Sequence, residues 1–240
     1  MTDEQTPQHH VAIFMAHADD GEFLCAGTAA KFVAEGHKVT YIIITNGDKG
    51  SEDPEISPEQ LAEIRESEQR AACDILGVQD VIFMGRPDNT LDGRDSTLRK
   101  EITRILRTIK PTIVMCQDPS LWWREADYIN HPDHRNAGEA VVTAAFPSAG
   151  NRNTYPDLLA EGLEPIKIKE IWIMGPLQGD HWVDITDYLP RKLEALKAHV
   201  SQMGDWDPTE DLTKWAEENG KNASPPVQYA EEFRRFTTSG

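Results

Sequence analysis

Cysteine is scarce in this chain. There are three in 240 residues, Cys25, Cys73 and Cys116, far apart and each in apolar surroundings. An odd, unpaired set excludes a disulfide framework and points to a reduced, cytoplasmic protein whose thiols are small core residues. Long hydrophobic runs are missing too: no stretch approaches the roughly 18 apolar residues of a membrane span. The opening MTDEQTPQHH has neither the basic start nor the apolar stretch of a signal peptide. Basic residues are in deficit, 24 Lys and Arg against 41 Asp and Glu, for a net charge of −17. Such a surface repels phosphate backbones and anionic lipid, which argues against nucleic-acid and membrane partners and leaves a small neutral substrate open.

What is present is alternation. Residues 11–16 read as a strand and 21–35 as a helix, with Leu24, Thr28 and Phe32 on its apolar side. A second strand covers 36–45, and a helix over 58–76 has Ser57 as its N-cap, Pro58 at its first position and Gly77 as its stop. DVIFMG is a third strand, 96–109 a third helix and PTIVMCQ a fourth strand. Residues 117–130 read as a long loop leading to a helix over 133–146, and KEIWIMG and HWVDIT as late strands before a helix over 188–202. Short, continuously apolar strands between amphipathic helices predict an α/β, Rossmann-like, mostly parallel sheet covered on both faces, in a single domain. Residues 1–10, with His9 and His10, read as a flexible tail, 11–203 as the domain and 204–240 as a polar extension packed on or beside it.

Two clusters carry the chemistry. In MAHADDGEF, His17, Asp19 and Asp20 end the first strand; in NHPDH, His131, Asp133 and His134 follow the fourth. Ligands of open α/β sheets bind at the carboxyl ends of strands, so both clusters point at one rim and meet if strands one and four are neighbours. Two imidazoles and a carboxylate make a three-ligand site with a position left for water, the arrangement of hydrolytic zinc. The Asp19–Asp20 dyad supplies more carboxylate than coordination needs, so one can deprotonate the water while a second histidine steadies the oxyanion. That chemistry is metal-assisted hydrolysis of an amide-like bond. Taken alone, DD after a strand is often a helix cap and HPDH a turn; it is the pairing that makes a site. No G-x-G-x-x-G follows the first strand, and there is no P-loop, which argues against a nucleotide-binding relative of the same fold.

AHADDGEF resembles the AHPDD-x-E signature of the LmbE-like, or PIG-L, zinc deacetylase family. TNGDKGS, IRESEQRAACDILGV, FMGRPDNTL, INHPDHR and HWVDITDYLPRKLEALKAHVSQ are similar to its successive blocks, in order, over about residues 11–203. The resemblance implies removal of acetyl from an N-acetylglucosamine-type amine by a zinc-bound water. His17, Asp20 and His134 would bind Zn2+ (Fe2+, Co2+ or Mn2+ suit the same donors). Asp19 would be the general base, and His131, tuned by Asp133, would polarise the intermediate or act as acid. Arg65 and Asp88 match positions that reach the sugar hydroxyls. The family also implies a homo-oligomer. Ala18 replaces the usual proline, and Gly21 stands where a larger residue is common. Trp122 and Trp123, on the loop before His131, either offer stacking faces for the sugar or include one that packs the loop onto the core. The competing readings are an amidase acting on a larger sugar conjugate, a family member that binds metal without catalysis, and a two-metal phosphoesterase, which needs more ligands than these clusters provide.

Overall fold

Burial along the first strand sets the architecture. In β1 (His10–Met15), Val11, Ile13 and Met15 join one apolar layer and Ala12 and Phe14 the other. A strand apolar on both sides must be covered on both. The computed structural model describes residues 8–238 and meets that demand with helices on either face of a seven-stranded sheet.

From β1 the chain passes through α1 (Asp20–Leu24) and α2 (Ala26–Ala34) to β2 (Lys38–Thr45), then through α3 (Pro58–Leu76) to β3 (Asp80–Arg86). The α4 helix (Ser96–Ile109) leads to β4 (Ile113–Gln117), a small hairpin of β5 (Trp123–Arg124) and β6 (Tyr128–Ile129), and α5 (Pro132–Ala145). There follow a short turn of helix at Ser148–Gly150, α6 (Pro156–Ala160), β7 (Glu170–Met174), β8 (His181–Asp184), α7 (Leu189–Lys197), α8 (Val200–Met203), α9 (Thr209–Asn222) and β9 (Ala230–Thr237). The sheet order is β3-β2-β1-β4-β7-β9-β8; the first five are parallel, and β9 runs antiparallel to both its neighbours. β1 pairs with β4, so the order reverses between them and opens a crevice at their carboxyl ends. The expected α/β architecture holds. All three cysteines are buried and free.

Several boundaries differ from the sequence reading. The helix expected over 21–35 breaks at Cys25, whose φ of −150° and ψ of 11° are not helical, into α1 and α2. Gly21 is closely packed: a Cβ there would lie 2.4 Å from the Met15 sulfur and 3.2 Å from the Tyr41 ring, so a side chain would have to displace Met15. The 117–130 segment contains the β5–β6 hairpin. The helix expected over 188–202 divides around His199 into α7 and α8. The helix over 58–76 is as expected, with a capping box between Ser57 and Gln60.

Residues 204–240 are more than an appendage. They supply α9 and β9, and β9 lies inside the sheet between β7 and β8. Glu231 is buried there. Its carboxylate accepts from Gly27 N (3.0 Å) and Thr28 N (2.7 Å) at the start of α2 and pairs with buried Lys192 at 2.7 Å. Residue 203 is therefore no border of the fold. At the other end, residues 1–7 of the expected tail lie outside the described residues. His10 opens β1, and His9 Nδ1 lies 3.1 Å from Thr112 Oγ1.

Candidate metal centre and active site

β1 stops at a tight corner. Asp19, at the N-cap position of α1, has φ 87° and ψ −27°, a left-handed conformation that costs a non-glycine residue on the order of 1 kcal/mol or more. Its side chain caps nothing, so the carboxylate is not spent on the helix. Asp20 turns back instead, and its Oδ2 accepts the His17 backbone N–H at 2.7 Å. Beyond β4 and the β5–β6 hairpin, His131 is the N-cap of α5 with Pro132 at the first helical position. That helix start sets Asp133 and His134 beside the β1 corner.

The two clusters meet. His134 Nε2 lies 3.0 Å from Asp20 Oδ1, and the His17 ring centroid is 4.7 Å from that of His131 and 5.2 Å from that of His134. Ligand atoms of His17, Asp20 and His134 all lie within 4.8 Å of one another, and so do those of His17, Asp88 and His131. The first trio has the nitrogen and oxygen donors that suit a catalytic divalent metal. The groups that touch these side chains fit as well. His17 turns Nδ1 toward Asp20 (3.5 Å) and Nε2 toward Asp88 (3.0 Å) and Asp133 (3.6 Å). A ring N–H held by carboxylate is how metal-ligating histidines are commonly oriented. Asp133 is fixed in turn, accepting from Asn89 N at 2.7 Å and Leu91 N at 3.1 Å.

The electrostatics divide the roles. Burial opposes a charge on His17, but hydrogen bonds to Asp133, Asp20 and Asp88 more than reverse it and push its pKa up to about 12. Burial likewise opposes ionisation of Asp20, and His134 and His17 overcome it, holding that carboxylate ionised well below its usual range. Asp88, partly buried and bonded to His17, is brought down to about 2. Asp19 goes the other way: burial first and the Asp20 charge second raise it to about 7. Burial and the nearby His17 lower His131. Its Nδ1 accepts the Asp133 N–H at 3.2 Å, which places the proton of the neutral ring on Nε2. One carboxyl thus titrates near neutrality beside two ionised ones and a neutral imidazole donor. Pairs of groups pushed apart in this way mark acid–base sites.

Beside Asp20 and His134 opens a cavity of about 580 Å³. The β5–β6 hairpin contributes Arg124 and Tyr128 to its wall, and α9 contributes Lys214 and Trp215. Trp122 and Trp123 are exposed and do not line it; Arg135 stacks its guanidinium 3.9 Å over the Trp122 ring. Arg65 is buried, with Nη2 3.4 Å from the Gly50 carbonyl and Nε without a partner. Asn130 and Gln69 had no sequence signal of their own. Asn130 Oδ1 sits 2.9 Å from His134 Nδ1, and Gln69 Oε1 accepts the Asp19 N–H at 3.2 Å. The α9 wall also escaped notice, because a polar helix reads as a solvated one.

Residues 12–145 match the family described as PIG-L, GlcNAc-PI de-N-acetylase. The chain is 35% identical over 201 residues to diacetylchitobiose deacetylase of Thermococcus kodakarensis, covering 80% of this chain and 71% of that one. It is 33% identical over 199 residues to "Probable N-acetyl-alpha-D-glucosaminyl L-malate deacetylase 2" of Bacillus anthracis, covering 81% and 82%. Among solved structures, N,N'-diacetylchitobiose deacetylase from Pyrococcus horikoshii in complex with its inhibitor MPG superposes with a TM-score of 0.87 at 30% identity, over 96% of this chain and 85% of that one.

Proposed function

The chain belongs to the PIG-L family, and from that premise we propose that it is a metal-dependent hydrolase that removes the N-acetyl group from an N-acetylglucosamine-type amino sugar or a conjugate of one. The observation that carries the reading is the convergence of His17, Asp20 and His134 with an Asp19 that caps nothing. The two curated relatives are both named as deacetylases of N-acetylglucosamine-bearing compounds.

His17, Asp20 and His134 would hold the metal. When bound, zinc supplies a Lewis acid for the amide carbonyl and lowers the pKa of a coordinated water to roughly 7. Asp19 takes one proton of the attacking water and hands it to the amine nitrogen as the C–N bond breaks; the carboxyl formed then gives up the water's second proton, leaving acetate and the protonated amine. His131 Nε2–H donates to the oxygen that gains charge when the carbonyl is attacked. Asp133 holds the 89–91 loop and the His17 ring in place. Arg65 and Asp88 contact the sugar hydroxyls, Asp88 while also orienting His17, and Trp122 and Trp123 offer outer stacking faces.

The cavity beside Asp20 and His134 has room for a sugar and admits an acyl group larger than acetyl. An amidase releasing a larger acid from a sugar conjugate is therefore the second reading. The deciding experiment measures acetate released from N-acetylglucosamine and its short oligomers, with bound metal quantified on the same sample. Acetate in proportion to metal supports deacetylation. Stoichiometric metal with no acetate, and a larger acid released from N-acyl conjugates, supports the amidase. Full activity in protein without metal, unchanged by chelator, removes both.

A further inference from the structure

Behind Asp19 lies a chain of buried polar groups that the chemistry above does not use. Gln69 on α3, Glu22 on α1 and His199 at the α7–α8 junction are all completely buried. Gln69 Nε2 donates to Glu22 Oε1 at 3.1 Å, and Glu22 Oε2 lies 3.2 Å from His199 Nε2. The far end of the Gln69 amide, Oε1, takes the Asp19 backbone N–H at 3.2 Å. Three elements distant in sequence thus converge on one main-chain amide.

The order of these bonds fixes the direction of the Gln69 amide. A carboxylate accepts only, so the Gln69 NH2 must face Glu22, and its oxygen must then face Asp19. Were the amide reversed, two N–H groups would oppose one another at Asp19, and two oxygens would do so at Glu22. His199 donating to the second Glu22 oxygen keeps that carboxylate from swinging away. The α8 segment is itself clipped to α3, with Ser201 N and Oγ donating to Glu68 at 2.7 and 2.6 Å. Buried polar groups are expensive unless satisfied and rigidifying when they are. What this chain rigidifies is the one residue of the corner with an unfavourable left-handed φ.

Resting on the reading of Asp19 as the general base, we propose that Gln69, clamped by Glu22 and His199, is a positioning residue that holds the Asp19 main chain in its left-handed corner and so aims the Asp19 carboxylate at the reacting water. The metal ligands do not depend on this clamp: Asp20 is held by the His17 N–H and faces His134. Loss of the clamp should therefore cost turnover and spare both metal and substrate binding. A general base displaced by about 1 Å loses on the order of a hundredfold in rate.

The test is a double-mutant cycle on the metal-loaded enzyme, with kcat, KM and bound metal read for each protein. Gln69→Met keeps the volume and removes the acceptor. It is expected to lower kcat 10- to 100-fold with KM within threefold and metal stoichiometric, and to cost nothing further in an Asp19→Ala background. A Gln69→Met loss that appears in KM or metal content, or that recurs in full on Asp19→Ala, overturns the positioning role alone. An Asp19→Ala enzyme at full rate overturns both this role and the base assignment. A second pair covers the case in which Gln69→Met does not fold. Gln in place of His199 presents a nitrogen donor where Nε2 stood, so His199→Gln is expected to keep kcat within threefold, while His199→Leu lowers it at least fivefold. Equal kcat for the two overturns the proposal.

Discussion

Asn130 and His134 are bonded one helical turn apart: Asn130 Oδ1 lies 2.9 Å from His134 Nδ1, and the Asn130 amide donates to the Leu121 carbonyl at 2.7 Å. The second bond orients the amide with its oxygen toward the ring. That puts the imidazole proton on Nδ1 and leaves Nε2, beside Asp20, as the nitrogen with a lone pair to offer a metal.

Asn130→Ala is expected to weaken metal binding 10- to 100-fold, the usual cost of losing the group that orients a ligating histidine. Competition with a chelator of known affinity measures this directly. Unchanged affinity would mean that His134 is oriented by packing alone.

Asp19→Ala is expected to lower kcat by roughly 10² to 10⁴, the range for loss of a general base, with metal content unchanged. The wild-type pH profile adds a second check. A base must be ionised to act, so kcat/KM rises with pH through the Asp19 titration. Its pKa, raised to about 7 by burial and by Asp20, is lowered by a neighbouring cation. The acid limb is therefore expected at or below pH 7 and is absent from the residual activity of the variant.

Metal loading is expected to release protons. Hydrogen bonds to Asp133, Asp20 and Asp88 outweigh burial and hold His17 protonated up to about 12, yet a ligating imidazole must be neutral. At pH 7, zinc added to stripped protein should expel about one proton, and affinity should climb as pH rises. Calorimetric titration in two buffers of different ionisation enthalpy counts it. Zero release would mean that His17 does not ligate.

Glu231→Ala is expected to destabilise the protein by about 3–5 kcal/mol, because it strands the buried Lys192 ammonium and uncaps two amides of α2. Urea unfolding of the two proteins gives the difference.

The elements that sequence disclosed best were those whose burial is written as composition. The run from Val11 to Met15 is apolar throughout because both its faces are covered, and Ser57, Pro58 and Gly77 bracket α3 with their own backbone chemistry. The six charged or imidazole side chains of the two clusters were legible for a related reason: nothing in packing asks for His17, Asp19 and Asp20 at the end of a core strand. β9 was not legible. In AEEFRRFT only Ala230, Glu231 and Phe233 are buried, and the buried glutamate reads as a surface residue until Lys192 is seen beside it. Gln69 and Asn130 were beyond reach because a single amide has no spacing, and its meaning lies in which atoms the fold brings to it.

The place of β9 also orders events in time. Among the described residues, β8 is bonded to the sheet through β9 alone, although it is made long before it. As the chain leaves the ribosome, residues 181–184 have no strand to join, and the outer edge of β7 stands bare until 230–237 arrive. An uncovered edge in a half-built sheet invites pairing with another chain. The interval between the making of β7 and that of β9 is thus one in which the half-built sheet keeps an open edge, closed only when residues 230–237 pair with both neighbours at once.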